Sequence, residues 1–470
     1  MTEASGTLPD SLSMVDTLAA GGPQVRDCQI EGQSWTRRYL SLVIIAFALN
    51  LLSAALFIGF VNRPVFDDNY NVSDVQTYAH EGLSVATVLS HRNPPGPTSF
   101  LWMAAGVRLL GAGELRDARI ANLTSWVLLF VGILFGARYG SFPQVWYGAL
   151  LAALIFPHSV MAAATTLTEG PALLFAILGT LAWIESTSCP TVTASSFLLQ
   201  ILAAFSMGIA VSCRQYYLAL LPAVALFGLF RLRGWGSKER FVRLLGIILS
   251  LSVASAPLIL LIFIWGGVTS PGVATGLSHQ ELGWKAYAGL SVFRPIVAGF
   301  YSCFYLAPLT FPVVWRVRLP FRRLAFLAAS ISGIVAACLG PSLIQPGPLR
   351  ALIGLASRLP AGEFLLLACV AALTVYNAIV IGLLVWQKRH TVLSCPPAIF
   401  ALLTVAFFIV EQLGVGGNVP LYDRYLLQIA PFLGIIAFTL IPRLGFSRLL
   451  ALGVMDAAAH VILWSHAFER

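Results

Sequence analysis

Apolar residues run along this chain in unbroken stretches, divided by short polar connections. A stretch of about 18 or more such residues covers the roughly 30 Å hydrocarbon layer of a bilayer as an α-helix. The pattern predicts about thirteen spans, at about 39–61, 119–138, 145–163, 170–186, 197–213, 216–230, 244–266, 293–314, 324–343, 364–386, 397–415, 425–442 and 448–466. The apolar runs are continuous and do not alternate, which excludes a membrane β-barrel. The expected fold is an all-α polytopic membrane protein embedded in a lipid bilayer.

The polar connections orient the bundle. Arg37 and Arg38 precede the first span, which places the N-terminus inside. The short apolar piece 99–110 contains Arg108, and counting it as a span would put the basic run "RLRGWGSKERFVR" (231–243) outside. Read as a helix lying in the plane of the outer interface, it returns that run to the inside. The runs "RVRLPFRR" (316–323) and "QKRH" (387–390), and Arg443 with Arg448, then fall on the same side. Residues 1–38 form a polar, disordered cytoplasmic tail, and 39–470 form one membrane domain. Its larger outer loops are 62–118 and 267–292, with a Pro/Gly-rich outer segment at 344–363.

Composition agrees: 58% of residues are apolar and 10% charged, and the mean hydropathy is +0.83. The net charge of +9 does not signal nucleic acid, because the basic residues sit in short loops between apolar runs. The seven cysteines are scattered and lack any CxxC, so they form no disulfide framework or metal site. No nucleotide-binding Gly-rich loop, HExxH or GxSxG motif occurs. Two N-x-S/T sequons, at Asn71 and Asn122, are glycosylation acceptors only in a eukaryotic secretory compartment.

Against this background the stretch "FDDNYNVSDVQTYAHEGLSVATVLSHRNPPGPTSFLW" (66–102) is unusually rich in titratable groups. Asp67 and Asp68 follow the first span directly. Paired carboxylates can divide roles, one acting as base and one holding a metal or a substrate hydroxyl, although a solvated turn needs no such role. "NPPGP" (93–97) is a rigid turn. His91 and Arg92 beside it could approach a phosphate, while a lone histidine is more often structural. Glu169 opens an apolar helix, where the helix dipole alone favours an acid. Arg119, Arg214 and Arg424 stand at outer helix ends, where arginine either reaches the headgroups or grips phosphate with its fork of donors. Asp423, Arg424 and the flanking tyrosines of "YDRY" (422–425) also suit an interfacial belt. Glu411 and Asp456 lie within spans and carry no assignment.

These stretches resemble the GT-C glycosyltransferases, membrane enzymes that use lipid-phosphate-linked sugars, such as the protein O-mannosyltransferases and the lipid A aminoarabinose transferase. "VFDDNY" looks like the family's acidic motif in the first outer loop. "HRNPPGPTSFLWMAAGVRLLGAGELRDARIANL" is similar to its His/Pro-Pro segment, in-plane helix and arginine opening the second span. "TTLTEGPALLF" looks like the segment ending in a second acid, with Glu169 101 residues beyond Asp68. "SCRQYYLALLPA" resembles the basic turn, and "NVPLYDRYLLQIAPFLGII" the late DRYLLP element. Two positions depart from the pattern: the second acid is Glu where Asp is frequent, and the basic turn is Arg-Gln where many members have Lys-Gly.

The resemblance implies a GT-C fold and inverting transfer of a sugar from a polyprenyl- or dolichyl-phosphate donor to a glycan, lipid or protein acceptor. It implies Asp67 or Asp68 as general base, with the other and Glu169 holding the acceptor or a divalent metal. Arg119 and Arg214 would bind the donor phosphate, assisted by Arg424. The short loops point to a bacterial inner membrane with a periplasmic site, the alternative being the endoplasmic reticulum with a lumenal one. The rival readings are a transporter or flippase of a lipid-linked or anionic solute, and a non-catalytic assembly subunit.

Overall fold

The computed structural model describes residues 32–65, 67–93, 96–111, 113–189, 191–232, 235–267, 270–272, 290–314, 321–340, 353–414, 423–442 and 445–468. Most of the expected tail, most of the 267–292 loop and the first part of 344–363 lie outside these residues. The described residues are helical throughout, without a strand. In chain order the helices are α1 (Gly32–Phe60), α2 (Asp68–Glu81), α3 (Val85–Leu89), α4 (Pro97–Leu110), α5 (Glu114–Tyr139), α6 (Pro143–Leu154), α7 (Ser159–Ala164), α8 (Glu169–Ser188) and α9 (Ala194–Cys213). Then follow α10 (Leu220–Arg231), α11 (Ser237–Trp265), α12 (Phe293–Val314), α13 (Arg322–Leu339), α14 (Gly362–Gln387), α15 (Arg389–Leu393), α16 (Pro396–Glu411), α17 (Ala430–Leu440) and α18 (Phe446–Phe468). Short 3-10 turns cover Gln215–Ala219, Gln412–Gly414 and Asp423–Gln428.

Among the described residues, nine helices are long and apolar enough to cross a membrane. They match nine of the thirteen expected spans, and Phe293–Val314 is a further helix of 22 residues. The other three expected spans are not single helices. The span 216–230 is a 3-10 turn leading into α10, and 425–442 is a 3-10 turn leading into α17. The span 145–163 is split into α6 and α7. Pro157 explains the split, because it has no N–H to give and its ring would meet the Ala153 carbonyl one turn back. The carbonyl left over at Leu154 accepts from Asn50 Nδ2 at 2.7 Å and from the Ser159 hydroxyl. α1 also begins earlier than expected, at Gly32, so the last residues of the presumed tail are helical.

α8 is the centre of the bundle. It is 78% buried over its apolar length, against 22% for α11 and α13, although α11 is the more apolar helix. It packs along α9 and α5, while α6 packs on α17 and α1. Nearly every side chain from Trp146 to Ala164 is buried.

The segment expected to form the first outer loop is not a loose connection. α2, α3 and α4 build a small core of their own from Val75, Tyr78, Ala79, Val88, Phe100, Met103 and Ala104, closed by Ala118, Leu261 and Trp265. α4 has 14 residues, about 21 Å at 1.5 Å per residue, too short to span. Arg108 points back into this unit, donating to Ala79 O at 2.6 Å and Tyr78 O at 3.1 Å at the end of α2. Trp265 Nε1 donates to Val88 O at 3.0 Å and ties the unit to α11.

Candidate active site

The "NPPGP" turn docks this cap onto the bundle. Gly96 N donates to Cys213 O at 3.1 Å, capping the end of α9. A Cβ at Gly96 would lie 1.8 Å from the Ser212 carbonyl oxygen, so the approach requires glycine. Asp74 organises the preceding residues, accepting from Arg92 N at 3.2 Å, Asn93 N at 3.1 Å and Asn93 Nδ2 at 2.7 Å. His91 Nδ1 lies 3.1 Å from the same carboxylate, with its ring 5.0 Å from that of Phe100. His91 is therefore buried in the cap, and the Arg92 side chain is exposed beside it. Neither joins the arginines discussed below. Burial, reinforced by the Asp74 carboxylate, pushes the neighbouring Tyr78 hydroxyl well above the usual phenol range.

Glu169 is presented by an unwound, fully buried segment, Thr165–Thr168, between α7 and α8. Buried irregular backbone must find partners within the protein. Asn122 Nδ2 donates to Ala162 O at 2.6 Å and Thr165 O at 2.7 Å. Asn71 Nδ2 donates to Thr166 O at 2.9 Å, and Ser99 Oγ to Thr168 O at 3.2 Å. Asn71 and Asn122 are thus buried hooks for the backbone, which replaces their reading as glycosylation sequons.

The six residues singled out from the sequence form three pairs, each an arginine with a carboxylate. Asp68 is wholly buried and meets Arg119 Nη2 at 2.6 Å. Its other oxygen accepts from Thr166 N at 2.8 Å and Thr166 Oγ1 at 2.7 Å. Val65 N adds a fourth hydrogen bond at 3.1 Å. Arg119 in turn donates to Val61 O at 2.5 Å and Arg63 O at 2.9 Å, where the chain leaves α1. This pair staples the start of the outer loop to α5 and to the unwound segment.

The other two pairs meet at one ring. Arg424 Nη1 lies 2.8 Å from Asp67 Oδ2, and Arg214 Nη2 lies 2.5 Å from Glu169 Oε1. The guanidinium carbons of Arg214 and Arg424 stand 5.5 Å and 5.3 Å from the centroid of Tyr425, within cation–π range. Tyr216 packs on Tyr425 with centroids 5.1 Å apart. Arg214 occupies an extended residue at the end of α9, where a cation is favoured by the helix dipole. Glu169 begins α8, the favourable end for an acid. Pro431 at the start of α17 fixes where the helix begins after the 3-10 turn that carries Arg424 and Tyr425.

The donor groups differ in what they have left to offer. Asp67 keeps a 35% exposed side chain and holds one arginine, whereas Asp68 is closed off. Arg214 Nε and Glu169 Oε2 are buried and make no hydrogen bond among the described residues. The carboxylates do not suit a metal. Both Asp68 oxygens are engaged, Glu169 is neutralised by Arg214, and no group of three His, Cys, Asp or Glu side chains converges among the described residues. Asp456, left without a role, lies 3.8 Å from His460 one turn along α18. Tyr425 as shared platform and Thr166 as partner of Asp68 were not singled out. The one available signal was Tyr425 standing beside Arg424 in "YDRY".

No protein-family profile matches the chain, and no curated protein matches it either. Among solved structures it is similar to two crystal structures of ArnT from Cupriavidus metallidurans. The form bound to undecaprenyl phosphate gives a TM-score of 0.39 and 15% identity, over 92% of this chain and 78% of that one. The apo form gives a TM-score of 0.38 and 16% identity, over 92% and 77%.

Proposed function

We propose that this protein is a membrane glycosyltransferase that moves a sugar from a polyprenyl- or dolichyl-phosphate donor to an acceptor hydroxyl on the outer side of the membrane. The observation that carries the reading is the convergence of Arg214–Glu169 and Arg424–Asp67 on Tyr425. Two arginines fixed by carboxylates and leaning on one ring are held in place before any ligand arrives, as recognition of a phosphate group requires. Buried Arg214 Nε is a further donor for a phosphate oxygen.

In this reading Asp67 is the general base and Asp68 is not. Asp67 takes the acceptor proton, and the acceptor oxygen forms a bond to the anomeric carbon. The bond from that carbon to the phosphate oxygen breaks, its electron pair leaves with the lipid phosphate, and Arg214 and Arg424 stabilise the charge. A single in-line displacement inverts the anomeric centre. Asp68 and Arg119 position Asp67 by fixing Val61, Arg63 and Val65 before it and Asp68 itself after it. No step is routed through a metal, because the carboxylates are already paired with arginines.

The test uses purified protein with a panel of undecaprenyl- and dolichyl-phosphate sugars and candidate acceptors, scored by release of lipid phosphate. Release with one donor, abolished by Asp67→Asn, supports the reading. Movement of the intact donor across liposomes without release would replace it with the flippase reading.

A further inference from the structure

Beyond the arginine pairs lies a second polar group that the reaction above does not use. Glu411 ends α16, and Gln412 opens the 3-10 turn that follows. Both carboxylate oxygens of Glu411 are buried and complete no hydrogen bond among the described residues, although the Ala219 N–H approaches them. Gln412 is wholly buried. Its Oε1 accepts from Arg294 Nη2 at 3.0 Å, while its Nε2 has no partner. Two consecutive side chains thus offer a pair of acceptors and an N–H donor inside the protein. Burying such groups unsatisfied costs stability, and the expense is recovered when a ligand supplies the missing partners.

The position of this group limits the ligand. Tyr216 packs on Phe408, one turn before Glu411 on α16, with ring centroids 6.1 Å apart, and on Tyr425 at 5.1 Å. The group therefore borders the proposed phosphate site across two tyrosines in contact. A metal ion would need further carboxylates or imidazoles, and none converge here among the described residues. A cationic ligand would meet Arg294, held on the very next side chain. A hydroxyl satisfies both halves, since its O–H donates to a carboxylate and its oxygen accepts from an amide.

We propose that Glu411 and Gln412 form a hydroxyl-binding subsite that reads the ring of the transferred sugar. This rests on the lipid-phosphate-sugar reading above. Glu411 accepts from a ring hydroxyl, Gln412 Nε2 donates to the same or the adjacent one, and Arg294 holds Gln412 in place. A site built to bond a hydroxyl discriminates strongly against a ligand that lacks it, because its own buried groups are then left unpaired.

The experiment measures binding to the full chain in nanodiscs. The probes are sugar-free undecaprenyl phosphate and a panel of undecaprenyl-phosphate hexoses and pentoses, with deoxy analogues of the tightest. The unmodified protein should bind one sugar-bearing lipid about tenfold more tightly than the sugar-free lipid, as one or two buried hydrogen bonds allow. Glu411→Leu should abolish that difference, and the isosteric Glu411→Gln should reduce it by several-fold. Both should leave sugar-free lipid binding unchanged, which also reports that each variant is folded. A sugar preference that survives both substitutions overturns the subsite. So does an equal loss for sugar-bearing and sugar-free lipid, which marks Glu411 as structural. A sugar that adds nothing in the unmodified protein overturns it too, with phosphate binding intact. Failure of the unmodified protein to bind undecaprenyl phosphate at all would bring down the phosphate reading, and this subsite with it.

Discussion

Asp67 and Asp68 are neighbours in sequence and opposites in surroundings. Asp68 is sealed by Arg119, Thr166 and Val65 N, whereas Asp67 meets Arg424 and keeps a third of its side chain open. The two substitutions to asparagine should therefore fail in different ways. Asp67→Asn should fold with a smaller stability loss than Asp68→Asn, because Asp67 is partly exposed, and lose about 10²–10⁴ in the rate of transfer, the usual worth of a general base. Asp68→Asn should cost about 3–5 kcal/mol by leaving Arg119 buried without its counter-charge. Melting of the detergent-solubilised protein beside a lipid-phosphate release assay separates the outcomes. A stable, inactive Asp68→Asn with an active Asp67→Asn would reverse the assignment.

Tyr425 carries two guanidiniums on one ring. Tyr425→Leu keeps an apolar filler and removes the π face, at about 0.5–2 kcal/mol for each arginine. The expected result is a stability loss of that size together with roughly tenfold weaker binding of undecaprenyl phosphate. Arg214→Lys should weaken it further, because lysine lacks the planar fork. Titration of labelled lipid phosphate into both variants is the check.

Asn122 holds the unwound segment before Glu169 through two carbonyls. Asn122→Leu leaves both unsatisfied, at about 1–3 kcal/mol each. It should lower the melting temperature, and the surviving folded protein should show a reduced turnover number because Glu169 is no longer held. An Asn122→Leu protein with unchanged melting and turnover would show that the segment is fixed by other contacts.

Gly96 faces the Ser212 carbonyl with no room for a methyl group. Gly96→Ala should force the cap away from α9, costing about 1–3 kcal/mol as overpacking does. Protease sensitivity within residues 68–110 should rise, while Gly59→Ala, at an exposed helical position of α1 with open space around its Cβ, should leave packing undisturbed.

Much of this architecture was readable from the chain. Unbroken apolar runs marked the spans, because a helix is the form in which a single segment satisfies its own backbone in lipid. The six site residues were picked out by their position at outer helix ends. Their pairing was not readable, because each pair joins residues 45 to 357 positions apart. Asp68 and Asp67 carry the same side chain, and only the fold decides which is sealed. The break at "IFPHS" carried a plain signal in Pro157 that a length-and-hydropathy reading overrides. The sequon at Asn122 did not reveal its role, because three letters do not report burial.

The link between Asp67 and Arg424 also sets when the protein can first act. A ribosome adds about 5–20 residues per second, so on the order of 20–70 s separate the emergence of these two side chains. Throughout that interval the nascent chain can thread its early helices and form the Asp68–Arg119 and Glu169–Arg214 pairs, yet Asp67 has no Arg424 and the shared Tyr425 ring is missing. On the proposed reading, a polypeptide cut short before the DRYLLQ turn lacks the Arg424 half of the site however well it inserts. Premature termination anywhere in the first nine-tenths of the message would then leave no partial site to draw on lipid-linked sugar.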